Sequence, residues 1–158
     1  MNIFILDTNL EKCARYHCDQ HVVKMILESA QMLCTVLNEN GIKSPYRTTH
    51  VHHPCTLWAG ESLSNWLWLR GLAKALNKEY KYRYNHTQNH KSYDIAVSLP
   101  LPPIPDKGLT EFAQAMPEQF RVKGDPVSAY RKFYIGEKLE FATWSRRRKP
   151  RWLSLTNG

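Results

Sequence analysis

The sequence predicts an all-α fold, a compact single-domain helical bundle with long irregular loops, and three observations carry that expectation. Residues 20–38 hold good helix formers with neither Pro nor Gly. Between residues 55 and 84, Leu57, Trp58, Leu63, Trp66, Leu67, Leu69, Leu72, Leu76 and Tyr80 recur at mixed three- and four-residue spacings, the periodicity of one buried helix face. Asp125-Pro126 places an N-cap residue before a proline suited to the first helical position. It opens a last helix that carries Val127, Tyr130, Phe133, Ile135, Phe141 and Trp144. A chain of 158 residues, 42% of them hydrophobic, is long and apolar enough to bury one core.

Taken in order, Met1 to Leu6 form a short apolar run that Asp7, Thr8 and Asn9 interrupt, a cluster suited to turning the chain and capping a helix from about Leu10 to His17. Asp19 is the expected cap of the helix from Gln20 to Asn38, which stops at Asn40-Gly41. Residues 42–55, with Pro45, Pro54 and three histidines, read as an irregular, site-forming loop. A single long helix is expected from about Cys55 to Tyr84. Residues 99–105 (LPLPPIP) exclude regular helix, because each proline removes a backbone donor. No repeat or low-complexity tract is present, so residues 1–158 read as one domain with a basic tail from about 144 to 158.

Lys plus Arg outnumber Asp plus Glu by 22 to 14, a net charge of +8, which favours a polyanionic partner such as nucleic acid or a phosphorylated ligand. The start of the chain lacks the basic and long apolar regions of a secretory leader, and no stretch has the apolar length of a membrane span. A cytoplasmic protein with reduced thiols at Cys13, Cys18, Cys34 and Cys55 is therefore expected, in host cytoplasm if phage-encoded, with no membrane contact. The oligomeric state is not legible.

At roughly 100° per residue, His21, Lys24, Glu28, Gln31 and Thr35 fall on one narrow polar stripe of an otherwise apolar helix. Such a stripe faces solvent or lines a cleft. Lining a cleft, Glu28 is the natural general acid or base, His21 a phosphate contact or proton shuttle, and Lys24 a source of positive charge. His50, His52 and His53 beside Cys55, and His17 and His21 beside Cys13 and Cys18, lack CxxC and HExxH spacing, so no metal site is expected. Aromatic and basic residues alternate in Tyr80–His86 and Tyr130–Tyr134, a combination that stacks bases and holds phosphates, although helical geometry turns half of those rings to the core. Arg146, Arg147, Arg148, Lys149 and Arg151 are expected at the nucleic-acid backbone. With no glycine-rich phosphate loop and no activated serine or cysteine, NTPase and serine-hydrolase classes are disfavoured and no cofactor is expected.

Asp19-Gln20-His21 followed by Glu28 resembles the helix of the phage pyrimidine-dimer DNA glycosylase (endonuclease V type) family, in which the same triplet precedes a catalytic glutamate by the same seven-residue step from the histidine. His53-Pro54 through Trp58, and then Arg83-Tyr84-Asn85-His86, are similar to the His-Pro, Trp and Arg-Gly-Tyr-Asn-His pattern of bacterial members. Tyr130-Arg131-Lys132-Phe133-Tyr134 with Gly136 and Lys138 resembles the family's C-terminal aromatic-basic motif. The pattern His21-Val22-Val23-Lys24-Met25 also resembles a group of tailed-phage proteins.

The resemblance implies an all-α fold, DNA as partner, and glycosidic cleavage in which an α-amine attacks the sugar C1′, Glu28 assists and the target is opened by base flipping. It makes Met1, His21 and Glu28 the catalytic candidates. With the stripe residues, the set expected at the substrate is Gln20, Lys24, Gln31, His53, Arg83, His86, Tyr130, Arg131 and Lys138. Two features depart from the pattern. Asn2 follows the initiator methionine where the family carries a small residue such as threonine, and the family's flanking arginines correspond to Leu27 and Gln31. The leading expectation is a DNA glycosylase for damaged or modified pyrimidines, with AP-lyase activity as an open second step. The alternatives are a nucleotide-binding or nucleotide-processing protein on the same fold, and a non-catalytic DNA-binding module.

Overall fold

The computed structural model describes residues 1–154 and is all-α, with no strand among them. The helices are α1 (Leu10–Tyr16), α2 (Asp19–Glu39), α3 (Pro54–Glu61), α4 (Leu63–Arg83), α5 (Lys91–Ser98) and α6 (Pro126–Phe133). Single 3-10 turns at Glu118–Phe120 and Arg151–Leu153, and a π turn at Tyr134–Lys138, complete the regular structure. Helix α2 is the central element, packing on α3, α4 and α5. No helix among the described residues is long and apolar enough to cross a membrane.

The apolar opening Ile3–Leu6 is buried, so the first residues run through the core instead of fraying into solvent. Asn9 then turns the chain, its side-chain oxygen accepting the Lys12 N–H at 3.0 Å. Helix α2 begins one residue before the expected start. Asp19 is its first helical residue, not its cap, because the carboxylate is drawn to the C-terminal segment, where it accepts hydrogen bonds from the Ser145 N–H and hydroxyl and the Thr143 hydroxyl. The helix ends at Asn40-Gly41 as expected, Gly41 taking a φ of 81° that suits glycine.

The single helix expected over residues 55–84 is two helices. Ser62 is extended (φ −155°, ψ 145°) and breaks it. The break is made by a distant loop: the Leu63 N–H donates to the Pro105 carbonyl, and the Asp106 carboxylate accepts from the hydroxyls of Ser62 and Ser64 and from the Ser64 N–H. Asp106 thus acts as an N-cap supplied from elsewhere in the chain. Asp106→Ala is expected to lower the melting temperature, and Asp106→Asn, which keeps an acceptor oxygen, to lower it less; calorimetry of both variants checks the order.

The proline-rich stretch is irregular, as predicted, with Leu99 and Pro102 buried. Asp125 caps α6 through the Ser128 N–H at 3.1 Å. Helix α6 does not extend to Trp144: it passes into the π turn at Tyr134, leaving Phe141 and Trp144 on the irregular segment that follows. The basic tail is not a free end within the described residues. Trp144, Pro150 and Trp152 are buried, so residues 144–154 lie strapped against the body; residues 155–158 lie outside the described part.

Candidate active site

The polar stripe of α2 is divided by the fold. His21, Glu28 and Thr35 are buried, Gln31 is half-buried and Lys24 is exposed. A buried carboxylate needs partners, and Glu28 finds them on both oxygens. Its Oε1 lies 3.3 Å from the Met1 α-amine and accepts the Asn2 N–H at 3.0 Å, while Oε2 faces the Lys24 Nζ at 3.7 Å. The first two nitrogens of the chain therefore converge on one carboxylate oxygen, with a solvent-facing ammonium on the other.

Two features hold the terminus there. The apolar run behind it is buried, and the Asn2 side chain is bound at both ends: Nδ2 donates to the Ala115 carbonyl at 2.9 Å and Oδ1 accepts from the Tyr130 hydroxyl at 2.8 Å. Cys55 completes this wall, its Sγ 3.5 Å from Asn2 Oδ1. Burial pushes its thiol up to about 11, so it stands as a neutral packing group. His53 caps α3 by accepting the Cys55 N–H on Nδ1. Its pKa is lowered by burial, then by the positive chain terminus and by His50. Asn2 and Cys55 were not read as site residues, since nothing in their sequence context signals contact with a helix 26 residues away.

His21 stands two turns from Glu28 in different surroundings. Its ring stacks on Phe4 (4.4 Å, 10° between planes), and Nδ1 meets the Tyr134 hydroxyl at 2.5 Å. Burial lowers its pKa to about 3. His17, fully buried with Nδ1 on the Cys13 carbonyl and Nε2 without a partner among the described residues, is lowered by burial to about 4. Both are neutral in the fold near pH 7. Because their folded pKa values lie below the ordinary 6.5, the unfolded chain takes up protons first as pH falls. Stability is therefore full above about pH 6.5 and is lost toward pH 3–4, at about 1.4 kcal/mol per pH unit for each histidine. Urea denaturation between pH 7 and 4 is expected to show this slope.

The remaining expected residues are dispersed. Gln20 is exposed and donates to the Phe141 carbonyl. Arg83 has a fully buried side chain, bonded to Asp19, Glu79 and the carbonyls of Arg15 and His17. His86 is exposed and stacks on Tyr80 at 4.8 Å. Arg131 donates to the Leu6 carbonyl, pairs with Asp7 and lies over the rings of Tyr16 and Trp152. Lys138 sits 4.9 Å over the Phe133 ring. Tyr130 is buried behind the chain terminus, its hydroxyl on Asn2 Oδ1. In the strap, Arg147 forks onto Glu79 and Arg146 lies over Tyr82, while Arg146, Arg148, Lys149 and Arg151 remain exposed. Among the described residues no group of three His, Cys, Asp or Glu side chains is arranged to hold a metal ion.

The site thus consists of a buried carboxylate facing an α-amine and a lysine, assembled mainly by the N-terminal segment, α2 and the start of α3. No curated protein and no solved structure matches the chain. A family model does, the one described as pyrimidine dimer DNA glycosylase, over residues 1–92. The match contains Met1, Lys24, Glu28, His53, Arg83 and His86 and stops short of Tyr130, Arg131, Lys138 and the basic strap. It covers more than half of the chain, including the Asp19-Gln20-His21 triplet and the glutamate that holds the amine, and on that evidence the chain belongs to the pyrimidine dimer DNA glycosylase family.

Proposed function

We propose that this protein excises damaged or modified pyrimidines from DNA, using the chain's α-amine as nucleophile and Glu28 as its proton acceptor. One observation carries the reading: the Met1 amine lies 3.3 Å from a carboxylate that is buried on α2. An ammonium is no nucleophile, and Glu28 Oε1 is placed to take its proton. The neutral amine then attacks C1′ of a flipped nucleotide; the C–N bond to the base breaks with its electron pair, and the base leaves with the proton that Glu28 has taken. Opening of the sugar ring leaves an imine between C1′ and the chain terminus. Hydrolysis of that imine returns an abasic site, whereas loss of the C2′ proton and departure of the 3′ phosphate is the lyase outcome.

Lys24, exposed on the outer side of Glu28, is suited to a phosphate next to the target, and Gln20 and Gln31 continue that rim along α2. The exposed Arg146, Arg148, Lys149 and Arg151 are suited to the backbone further away, giving binding that weakens steeply with salt. The proposal is tested by incubating the protein with labelled duplexes bearing thymine dimers, uracil, modified pyrimidines or abasic sites. Release of a base from one of them is the expected result. No excision from any, together with thermal stabilisation by mononucleotides, would move the assignment to nucleotide binding.

A further inference from the structure

We propose that Tyr130 and Asn2 form a clasp that sets where the α-amine stands, so that the amine is positioned by a residue from the C-terminal part of the chain. This rests on the proposed use of the amine as nucleophile. Tyr130, on α6, is fully buried. Its hydroxyl is shared between the Asn2 Oδ1 at 2.8 Å and the Ala113 carbonyl at 3.0 Å and accepts the Ala115 N–H at 3.1 Å. Asn2 is held in turn at its side chain and its backbone. Its amide donates to the Ala115 carbonyl, its Oδ1 also accepts the Ile3 N–H, and its backbone N–H reaches Glu28.

The first residues of a chain fray unless they are tied down. Here Met1 packs against the core and the buried apolar run begins at Ile3, so the polar residue between them, Asn2, is the one that the clasp places. The Tyr130 side of these bonds is fully buried, and the low dielectric there strengthens them. The clasp also links the family-matched part, residues 1–92, to the loop 113–115 and to α6, which lie outside it. Tyr130 is a positioning residue: it touches neither base nor sugar and acts through Asn2.

Tyr130→Phe keeps the ring and its packing and removes only the oxygen. With a duplex that wild type processes, single-turnover formation of the borohydride-trapped adduct is expected to slow by about 10- to 100-fold, the scale of a small misplacement of reacting groups. Duplex affinity should be unchanged. Asn2→Ala should slow the same step. The double variant should be no slower than the worse single variant, because the two residues act as one device. Trp144→Phe, which removes the indole donor to the Tyr16 carbonyl and leaves the bonds of Asn2 and Tyr130 in place, serves as the destabilised control and is expected to trap at the wild-type rate.

Trapping by both single variants at the wild-type rate overturns the clasp and leaves the amine mechanism standing. The clasp is equally overturned if Trp144→Phe slows trapping as much as Tyr130→Phe does, or if the single effects simply multiply. Wild type that forms no adduct while excising bases overturns the amine mechanism and the clasp together.

Discussion

Replacing Glu28 with glutamine is expected to abolish adduct formation and to lower base excision by about 10²- to 10⁴-fold, the range that a lost general base commands. The substitution is close to isosteric. Its Oε1 still accepts the Asn2 N–H, but an amide cannot take a proton from the Met1 amine 3.3 Å away. Nor does the duplex lose a partner: removing a negative charge beside Lys24 makes the site more positive, so affinity should hold or rise slightly at low salt. The informative result is this split, with chemistry lost and binding kept. An enzyme that lost both would point to Glu28 as a folding element, and one that lost neither would end the proposed mechanism.

Arg83→Met is expected to cost about 3–5 kcal/mol of stability, because it strips the shared cation from two buried carboxylates. The guanidinium bonds to Asp19 at 3.1 Å, to Glu79 at 3.1 Å, and to the carbonyls of Arg15 and His17. Burial works against both carboxylates. Asp19 is nevertheless held below the usual range by hydrogen bonds from Ser145, Thr143 and Arg83, and Glu79 by Arg147 and Arg83. Through Asp19 the network also fastens the 143–145 segment onto α2, so the variant should loosen the strap and raise protease cleavage near Arg146. The exposed pair Arg121 and Glu118 offers the contrast: Arg121→Ala should leave urea denaturation unchanged. Arg83 thus fastens the fold, although its motif drew it into the expected substrate set.

What could be read in the sequence follows from where the interactions lie. The course of α2 was legible, because the nineteen residues 20–38, without Pro or Gly, admit few alternatives, and the step from His21 to Glu28 put the glutamate on a polar stripe. The stripe itself was too coarse. A band about 100° wide spans both the rim and the interior of a packed helix, and the fold buries His21 against Phe4 and Tyr134 while Lys24 stays in water.

The break at Ser62 was hidden because α3 and α4 are both apolar, and the cap that separates them comes from Asp106, some forty residues on. Leu57, counted among the core positions of one long helix, lies on α3 and is 54% exposed. Helix α5 gives no sequence signal beyond eight residues and a His90 cap. Charge counting gave no sign that the C-terminal segment is strapped down, with Trp144, Pro150 and Trp152 buried and Arg147 paired with Glu79. Asn2 and Tyr130, 128 residues apart, meet only in three dimensions.

The most direct test of the account is to locate the bond between protein and DNA. Wild type is reacted with its cleavable duplex in borohydride, digested with a protease, and the modified peptide is sequenced by mass spectrometry. The account predicts a reduced sugar on the α-nitrogen of the chain's first residue, the group that faces Glu28. An adduct on the Lys24 side chain, the other amine on the same carboxylate, would contradict it.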